Sequence, residues 1–171
     1  MAIPAYMSIT GKKQGLITEN ASTADSVGNG FQEAHKDEVM VQSVSHDILI
    51  PRDPQSGQPT GQRVHQPLVI TKVFDKASPL LQTSLTTGEV LTEVVLNWFR
   101  ISATGTREHY YTTKLEDAIL VAINNKMHDC QDPSGAHFTH LEELQFTYRK
   151  IYWTHEISGT TGSDDWRNPV T

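Results

Sequence analysis

Apolar and polar side chains alternate with a period of two residues over long stretches of this chain. The clearest stretch is 90–99, where one face carries Val90, Thr92, Val94, Leu96 and Trp98. Successive side chains of a β-strand point to opposite faces, so this alternation predicts a long strand with a buried face. Trp98 shares that face with aliphatic residues and is therefore expected in the core. The pattern favours folds built mainly from strands.

Five other segments have β-branched or alternating sequences and are predicted to be strands: 5–10, 39–50, 63–74, 115–127 and 142–148. Phe146 and Tyr148 alternate with polar residues in the last of these segments, so we expect both in the core. The segment 151–153 is predicted to extend the same strand. Gly11 and Gly15 bracket a predicted turn after the first strand.

One helix is predicted to follow Ser78, which can cap its N-terminus, with Pro79 at the first helical position. Leu81 and Leu85 lie one turn apart on one face, and Gly88 is placed to end the helix. A helix of about ten residues is marginal in isolation, so it must pack against a sheet. From the residues alone, the architecture is all-β with one helix, as a sandwich or a barrel.

Length, composition and charge exclude several classes of protein for this chain. The chain of 171 residues has the size of one domain, which we take to span 1–171. Cys130 is the only cysteine, so no intrachain disulfide can form. A formal charge of −6 without a long basic block argues against a nucleic-acid partner. No apolar run approaches the ~20 residues that span a bilayer, and the N-terminus lacks the features of a Sec signal peptide. We therefore expect a protein that folds in the cytoplasm without membrane insertion.

The segment 51–62 contains three prolines and two glycines in twelve residues, which excludes a regular element. It joins two predicted strands that we expect to pair, and it is longer than a hairpin turn requires. Long ordered loops often have a function. The polar side chains of this loop are therefore candidates for contacts with another molecule: Arg52, Asp53, Gln55, Ser56, Gln58 and Gln62.

A second long loop, 128–140, contains four possible zinc ligands: His128, Cys130, His137 and His140. Their spacing matches no common zinc motif, so we interpret them as polar loop residues and one small thiol. The chain also contains no Gly-x-Ser-x-Gly nucleophile motif and no phosphate-binding loop. We expect no catalytic residue, no bound metal and no cofactor.

The C-terminal tail, 158–171, is polar and rich in glycine, yet it contains Trp166. A large aromatic side chain is costly to leave in water. We therefore expect Trp166 to pack on the domain or on a neighbouring subunit.

Nine segments, taken in order, resemble the haemolysin-coregulated protein (Hcp) family, the tube proteins of bacterial type VI secretion systems. The resemblance covers essentially the whole chain, and the run Asp-Pro-Gln-Ser-Gly-Gln-Pro that begins at Asp53 is its most specific part. The segments that carry it are 24–28, 35–38, 53–65, 78–81, 108–112, 114–118, 130–133, 146–151 and 162–167.

The resemblance implies a β-barrel of two antiparallel sheets with a flanking short helix. It further implies a homohexameric ring, with rings stacked into the inner tube of a contractile injection machine. The expected partners are other copies of the chain, a spike protein, a sheath and baseplate, and effectors carried in the lumen. The protein would be made in the cytoplasm and then secreted, and it would not be an enzyme. An extended loop of the family is thought to reach the next ring, which makes 51–62 the predicted ring-stacking loop.

Two alternatives remain open from the sequence. In the first, the protein is mainly an effector-binding chaperone or receptor ring, with tube building secondary. In the second, it is a metal-dependent enzyme that uses the loop from His128 to His140.

Overall fold

A computed structural model describes residues 3–168 of the chain. The predicted domain, 1–171, and the predicted tail, 158–171, both include residues that lie outside the described ones. The strands are, in chain order, β1 (Ala5–Gly11), β2 (Gly15–Leu16), β3 (Val39–Val41), β4 (Ser43–Ser45), β5 (Ile48–Leu49), β6 (Val64–His65), β7 (Leu68–Val73), β8 (Leu91–Ile101), β9 (Arg107–Lys126), β10 (Leu141–Thr147), β11 (Lys150–His155) and β12 (Thr160–Asp165). Helix α1 (Ala24–Val27) is a single turn and helix α2 (Ser78–Thr87) has ten residues. The predominance of strands confirms the predicted mostly-β class, although α1 was not predicted.

Ten of the strands form one antiparallel sheet, with the hydrogen-bonded order β2-β1-β8-β9-β10-β7-β4. Seven of the ten lie on this path, and the other three pair beside it: β3 with β1, β11 with β9, and β12 with β11. The strands β5 and β6 form a separate two-stranded sheet. The structure therefore has two sheets, as predicted, but they are very unequal in size. The predicted closed barrel is not found among the described residues: β3 pairs with β1 and β4 pairs with β7, but no strand pair joins the two ends of the path.

The 20-residue strand β9 belongs to both halves of the large sheet. Its first half pairs with β8 and β11, and its second half pairs with β10. Between the halves, Asp117 has a φ of 50°, a left-handed conformation that is uncommon for residues other than glycine. The predicted strand 115–127 covers only part of β9, because residues 107–114 are polar and aromatic and lack aliphatic alternation.

Several predicted strands are divided in the structure. The segment 39–50 forms the three short strands β3, β4 and β5, and 63–74 forms β6 and β7. The prediction that 151–153 extends the preceding strand is wrong. After β10 the chain moves along β9 to new partners, and β11 pairs with residues 111–116 rather than 119–126. The turn between Gly11 and Gly15 is confirmed.

Helix α2 begins and ends close to the predicted positions. Gly88 ends it in the left-handed conformation, with a φ of 68°, as predicted. The prediction that Ser78 caps the N-terminus is wrong, because Ala77 occupies that position. The Ser78 hydroxyl instead donates to Glu142 Oε1 at 2.7 Å. Leu81 on this helix is fully buried.

The core lies between the two halves of the large sheet and α2. It includes Phe146, which is fully buried, and Tyr148, which is almost so. Leu85 and Trp98 are half-buried and pack at its margin, where Trp98 Nε1 donates to the Thr113 hydroxyl. Neither helix in the described part of the chain has the length and apolarity needed to cross a bilayer.

An ionic cluster is enclosed beneath the start of α2. Lys72 projects from β7, and its ammonium contacts a carboxylate oxygen of Glu142 on β10 and lies 3.0 Å from Asp75 Oδ1. The same ammonium donates to the Val73 carbonyl and to the Ser78 hydroxyl. The side chains of Lys72 and Glu142 are at most 1% exposed, and that of Asp75 is 4% exposed. A buried charge must be paired, and this cluster supplies the pairing.

Candidate functional site

The segment 51–62 forms an ordered extension of the strand pair β5–β6. The register Ile48↔His65 and Leu49↔Val64 starts a ladder that continues outwards through the backbone. The Thr60 N–H donates to the Pro51 carbonyl at 2.8 Å, and Arg52 pairs with Pro59. We call the whole unit, residues 48–65, the projecting hairpin. Its backbone hydrogen bonds show that the loop has one defined shape rather than hanging freely.

The tip of the projecting hairpin is organised by one carboxylate. Asp53 Oδ1 accepts from the Gln55 N–H at 3.0 Å, and Asp53 Oδ2 accepts from the Ser56 hydroxyl at 2.9 Å. The Asp53 carbonyl accepts from the N–H of Gly57, which has a φ of 74°. Donation by the Gln55 N–H and then by the Ser56 hydroxyl lowers the pKa of the Asp53 carboxyl. The carboxylate therefore stays ionised and fixes the turn.

The six predicted contact residues have two different positions. Arg52, Gln55, Gln58 and Gln62 are exposed on the projecting hairpin. Asp53 and Ser56 use their side chains to bond within the turn. They therefore shape the surface that the other four side chains present.

The base of the projecting hairpin is apolar and exposed, which the alternation of the sequence does not predict. Ile48, Leu49 and Ile50 are 40%, 45% and 54% exposed, so both faces of β5 meet solvent. The sequence predicts a strand over 39–50, of which Ile48 and Leu49 form β5. The signal in the sequence is the apolar run directly before Pro51. Adjacent exposed aliphatic side chains are typical of surfaces that contact another protein.

Side chains from the C-terminal hairpin, β11–β12, fasten the base of the projecting hairpin. Asp164 on β12 accepts from Arg63 Nε and Arg63 Nη2, each at 2.9 Å. Arg63 Nη2 also donates to the Asp165 carbonyl at 3.0 Å. His65 Nε2 lies 2.7 Å from Asp164 Oδ2. The hydrogen bonds from Arg63 lower the pKa of the Asp164 carboxyl, so it remains an acceptor.

The same arrangement continues inwards through Tyr148. The Tyr148 hydroxyl lies 2.5 Å from His65 Nδ1 and 2.9 Å from His46 Nε2. Burial raises the pKa of this hydroxyl, so it keeps its proton. Trp166 packs against the His65 ring, and its indole N–H donates to the Tyr148 carbonyl. Trp166 thus packs on its own domain, the first of the two predicted positions.

The four possible zinc ligands of the loop 128–140, which the sequence predicts to be ordinary loop residues, do not converge on one point. The His128 ring stacks on Phe138 at 4.2 Å between centroids. Cys130, His137 and His140 are exposed in the same loop. Within residues 3–168, no three His, Cys, Asp or Glu side chains are arranged to hold a metal ion.

The fold places the chain among mostly-β proteins with a flanking helix and a second, small sheet. The projecting hairpin is its most developed surface feature, and such a feature is typical of binding and assembly proteins.

Comparison with known proteins gives the family. The profile described as "Type VI secretion system effector, Hcp" matches residues 6–155. The "Major exported protein" of Pseudomonas aeruginosa is 72% identical over 170 residues, which cover 99% of each chain. A crystal structure of an Hcp protein superposes with a TM-score of 0.91 at 47% identity, covering 96% of this chain and 100% of that one. The secreted protein Hcp3 from Pseudomonas aeruginosa superposes with a TM-score of 0.83 at 61% identity, covering 98% and 100%. The chain belongs to the Hcp family of the type VI secretion system, whose members are secreted tube proteins and not enzymes.

Proposed function

We propose that this chain is the structural subunit of a type VI secretion tube, in which six copies form a ring and rings stack through the projecting hairpin. The observation that carries the proposal is the ordered hairpin itself, with its internally bonded tip and exposed polar side chains. A loop that is already ordered before it binds loses little conformational entropy on docking. Its polar groups suit a contact that must form and later separate, because polar interfaces are specific without being permanent.

Ring closure is supported by the strand edges that the fold leaves available. Among the described residues, β12 pairs only with β11, and its outer edge carries no partner strand. An unpaired edge favours association with another chain, and a head-to-tail interface closes into a ring when the rotation between copies is suitable.

A closed β-barrel within each subunit belongs to the same proposal. The segment 39–45 pairs first with β1 and then with β7, so it brings the two ends of the large sheet near each other. Gln42 lies at the change of partner, and its N–H donates to the Thr71 carbonyl at 2.8 Å. This bond supports a barrel that is closed through a kinked strand.

In the proposed assembly, the ring lumen carries effector proteins and the stacked tube lies inside a sheath. A spike protein closes one end, and a baseplate starts assembly. The subunit folds in the cytoplasm of the producing cell and leaves through the secretion machine. The effector-receptor role is thus part of the same assembly rather than a separate function.

The direct test of stacking is to replace residues 52–61 with a short glycine-containing turn. The ring should still contain six subunits, because the proposed ring interface does not use the hairpin tip. Tubes seen by electron microscopy, and secretion from cells, should be lost. Loss of the ring itself, or normal tubes, would contradict the stacking role.

A matched pair of point variants makes the same test without deleting the loop. Asp132 caps an exposed turn in the loop 128–140, as Asp53 does in the hairpin, by accepting from the Ser134 N–H and hydroxyl. Asp53→Ala should reduce tube formation, because its turn loses two side-chain hydrogen bonds. Asp132→Ala removes an equivalent set of bonds and should leave tubes intact.

A further inference from the structure

The projecting hairpin is fastened to the domain by an unbroken row of hydrogen-bonded side chains. In order, these are His46, Tyr148, His65, Asp164 and Arg63. We call this row the histidine latch. It joins the segment before β5, the end of β10, the strand β6 and the strand β12. Two of its five members are histidines, the residue type whose unperturbed side chain changes charge between pH 5 and 8.

With both histidine rings neutral, the latch has one consistent arrangement of protons. Asp164 is an ionised acceptor, so His65 Nε2 must carry a hydrogen and donate to it. The neutral His65 ring then has a bare Nδ1, which accepts from the Tyr148 hydroxyl. The Tyr148 oxygen in turn accepts from His46 Nε2–H. Every donor in the row has one acceptor.

The closed latch can accept one additional proton. If His65 becomes protonated, its Nδ1–H donates to the Tyr148 oxygen. The Tyr148 hydroxyl then turns and donates to a bare Nε2 of neutral His46, whose ring hydrogen moves to Nδ1. The direction of the hydrogen bonds reverses, but each donor still has an acceptor.

A second proton has no place in the closed latch. With both rings charged, His46 and His65 each direct an N–H at the same hydroxyl oxygen, and the Tyr148 hydrogen loses its acceptor. A donor without a partner in a buried position is unfavourable, and the two positive rings repel each other. We therefore propose that the histidine latch is sensitive to pH. It holds the projecting hairpin against the domain at neutral pH and releases it in acid.

The surrounding charges do not offset the second proton. Asp47 follows His46 in the chain and attracts a charged ring, but burial and the charge of His65 prevail and lower the pKa of His46. Asp164 already accepts three hydrogen bonds, two of them from Arg63. Asp165 pairs with Arg149 at 3.4 Å. Asp164 and Asp165 are therefore already engaged, and the attraction of Asp47 does not outweigh burial and the charge of His65.

The sign of the pH effect follows from the proton count. Opening the hairpin frees both rings, which can then bind two protons where the closed latch binds at most one. The opening equilibrium should rise by up to about tenfold per pH unit as the pH falls below about 6.5, the ordinary pKa of His46, because burial and the charge of His65 lower that pKa in the closed latch. Because release displaces the surface that stacks rings, acid should also separate rings. This last step rests on the proposed function of the hairpin.

The test compares the intact protein with His46→Gln and with His137→Gln. A glutamine at position 46 can donate to or accept from Tyr148 by turning its amide, but it cannot bind the second proton. His137 is exposed and lies outside the latch, so it is the matched control. Hydrogen-exchange protection factors of the hairpin amides, each corrected for the intrinsic exchange rate, are measured between about pH 7.5 and pH 5.

Protection should fall on acidification in the unaltered protein and in His137→Gln, and it should stay within about twofold in His46→Gln. Protection independent of pH in the unaltered protein overturns the latch, whether or not the variants fold. Loss of protection in His46→Gln equal to that of the control also overturns it. Sedimentation of tubes over the same pH range separates the two claims. Hairpin release without ring separation would contradict the stacking role and leave the latch standing.

Discussion

The buried ammonium of Lys72 lies between the carboxylates of Asp75 and Glu142 and is the counter-charge for both. Burial raises the pKa of the Asp75 carboxyl, and the Lys72 ammonium opposes that rise. A folded-state pKa above the ordinary value of 3.8 has a definite consequence for stability. The contribution of Asp75 is fully present below that value and is lost as the pH rises through the raised one. The ammonium therefore matters most at neutral pH.

Replacing Lys72 with methionine should lower the free energy of unfolding by about 3–5 kcal/mol at neutral pH, because two buried carboxylates lose their counter-charge. The loss should become smaller on acidification towards about pH 4, as Asp75 takes up a proton. Lys76→Met is the matched control, since Lys76 is exposed four residues later. It should change stability by less than about 0.5 kcal/mol. Urea unfolding of both variants measures the difference, and equal losses would contradict the role given to Lys72.

Individual residues differ in how far the sequence predicts their environment. The two-residue alternation of apolar and polar side chains correctly predicts that Phe146 is buried, because burial of alternate residues is a local property of a strand. It could not place Arg63 against Asp164, which is 101 residues away. The assignment of Ser78 as a cap failed for the same reason, since its hydroxyl is used by Glu142, 64 residues further on. Contacts between distant segments leave no spacing in the sequence.

At the scale of elements, helix α2 shows which structural limits can be predicted from the sequence of a single segment. Proline near its start and glycine after its end predicted its limits, because both act through the backbone of their own segment. The short strands β3, β4 and β5 were not separated in the prediction. Their limits depend on which neighbouring strand supplies hydrogen bonds, and that is decided by the whole sheet.

The packing role of α2 gives a graded prediction. Leu81→Ala should lower the free energy of unfolding by roughly 2–5 kcal/mol, because the side chain is fully buried. Leu85→Ala should cost less, since Leu85 is only half-buried at the margin of the core. Leu80 is 38% exposed on the same helix and serves as the control. An unchanged melting temperature for Leu81→Ala would show that the helix does not pack as described.

The projecting hairpin is the element for which sequence and structure together say more than either alone. The prolines and glycines of 51–62 predicted an irregular segment, and its length suggested a function. The role of Asp53 inside the turn and the exposure of Ile48, Leu49 and Ile50 needed coordinates. Composition alone does not reveal that hydrogen bonds within the tip fix its shape, or that the base of the same hairpin is apolar and exposed.

At the scale of the whole molecule, one long strand, β9, connects the two halves of the large sheet, and the small sheet stands apart with the hairpin. The segment 39–45 bonds to β1 through β3 and to β7 through β4, and Gln42 lies between these two pairings. Outer edges such as that of β12 are then available to other copies of the chain. Family membership and these edges agree on a protein that acts through assembly.

The central claim is that six subunits form a closed ring, and the mass of the native particle tests this claim most directly. Light scattering coupled to gel filtration, at about micromolar concentration, should give six times the mass of one chain, because a closed head-to-tail ring leaves no free interface. The variant with residues 52–61 replaced should likewise give six times the mass of its own, shorter chain. A single-chain mass for the unaltered protein at that concentration would contradict the account.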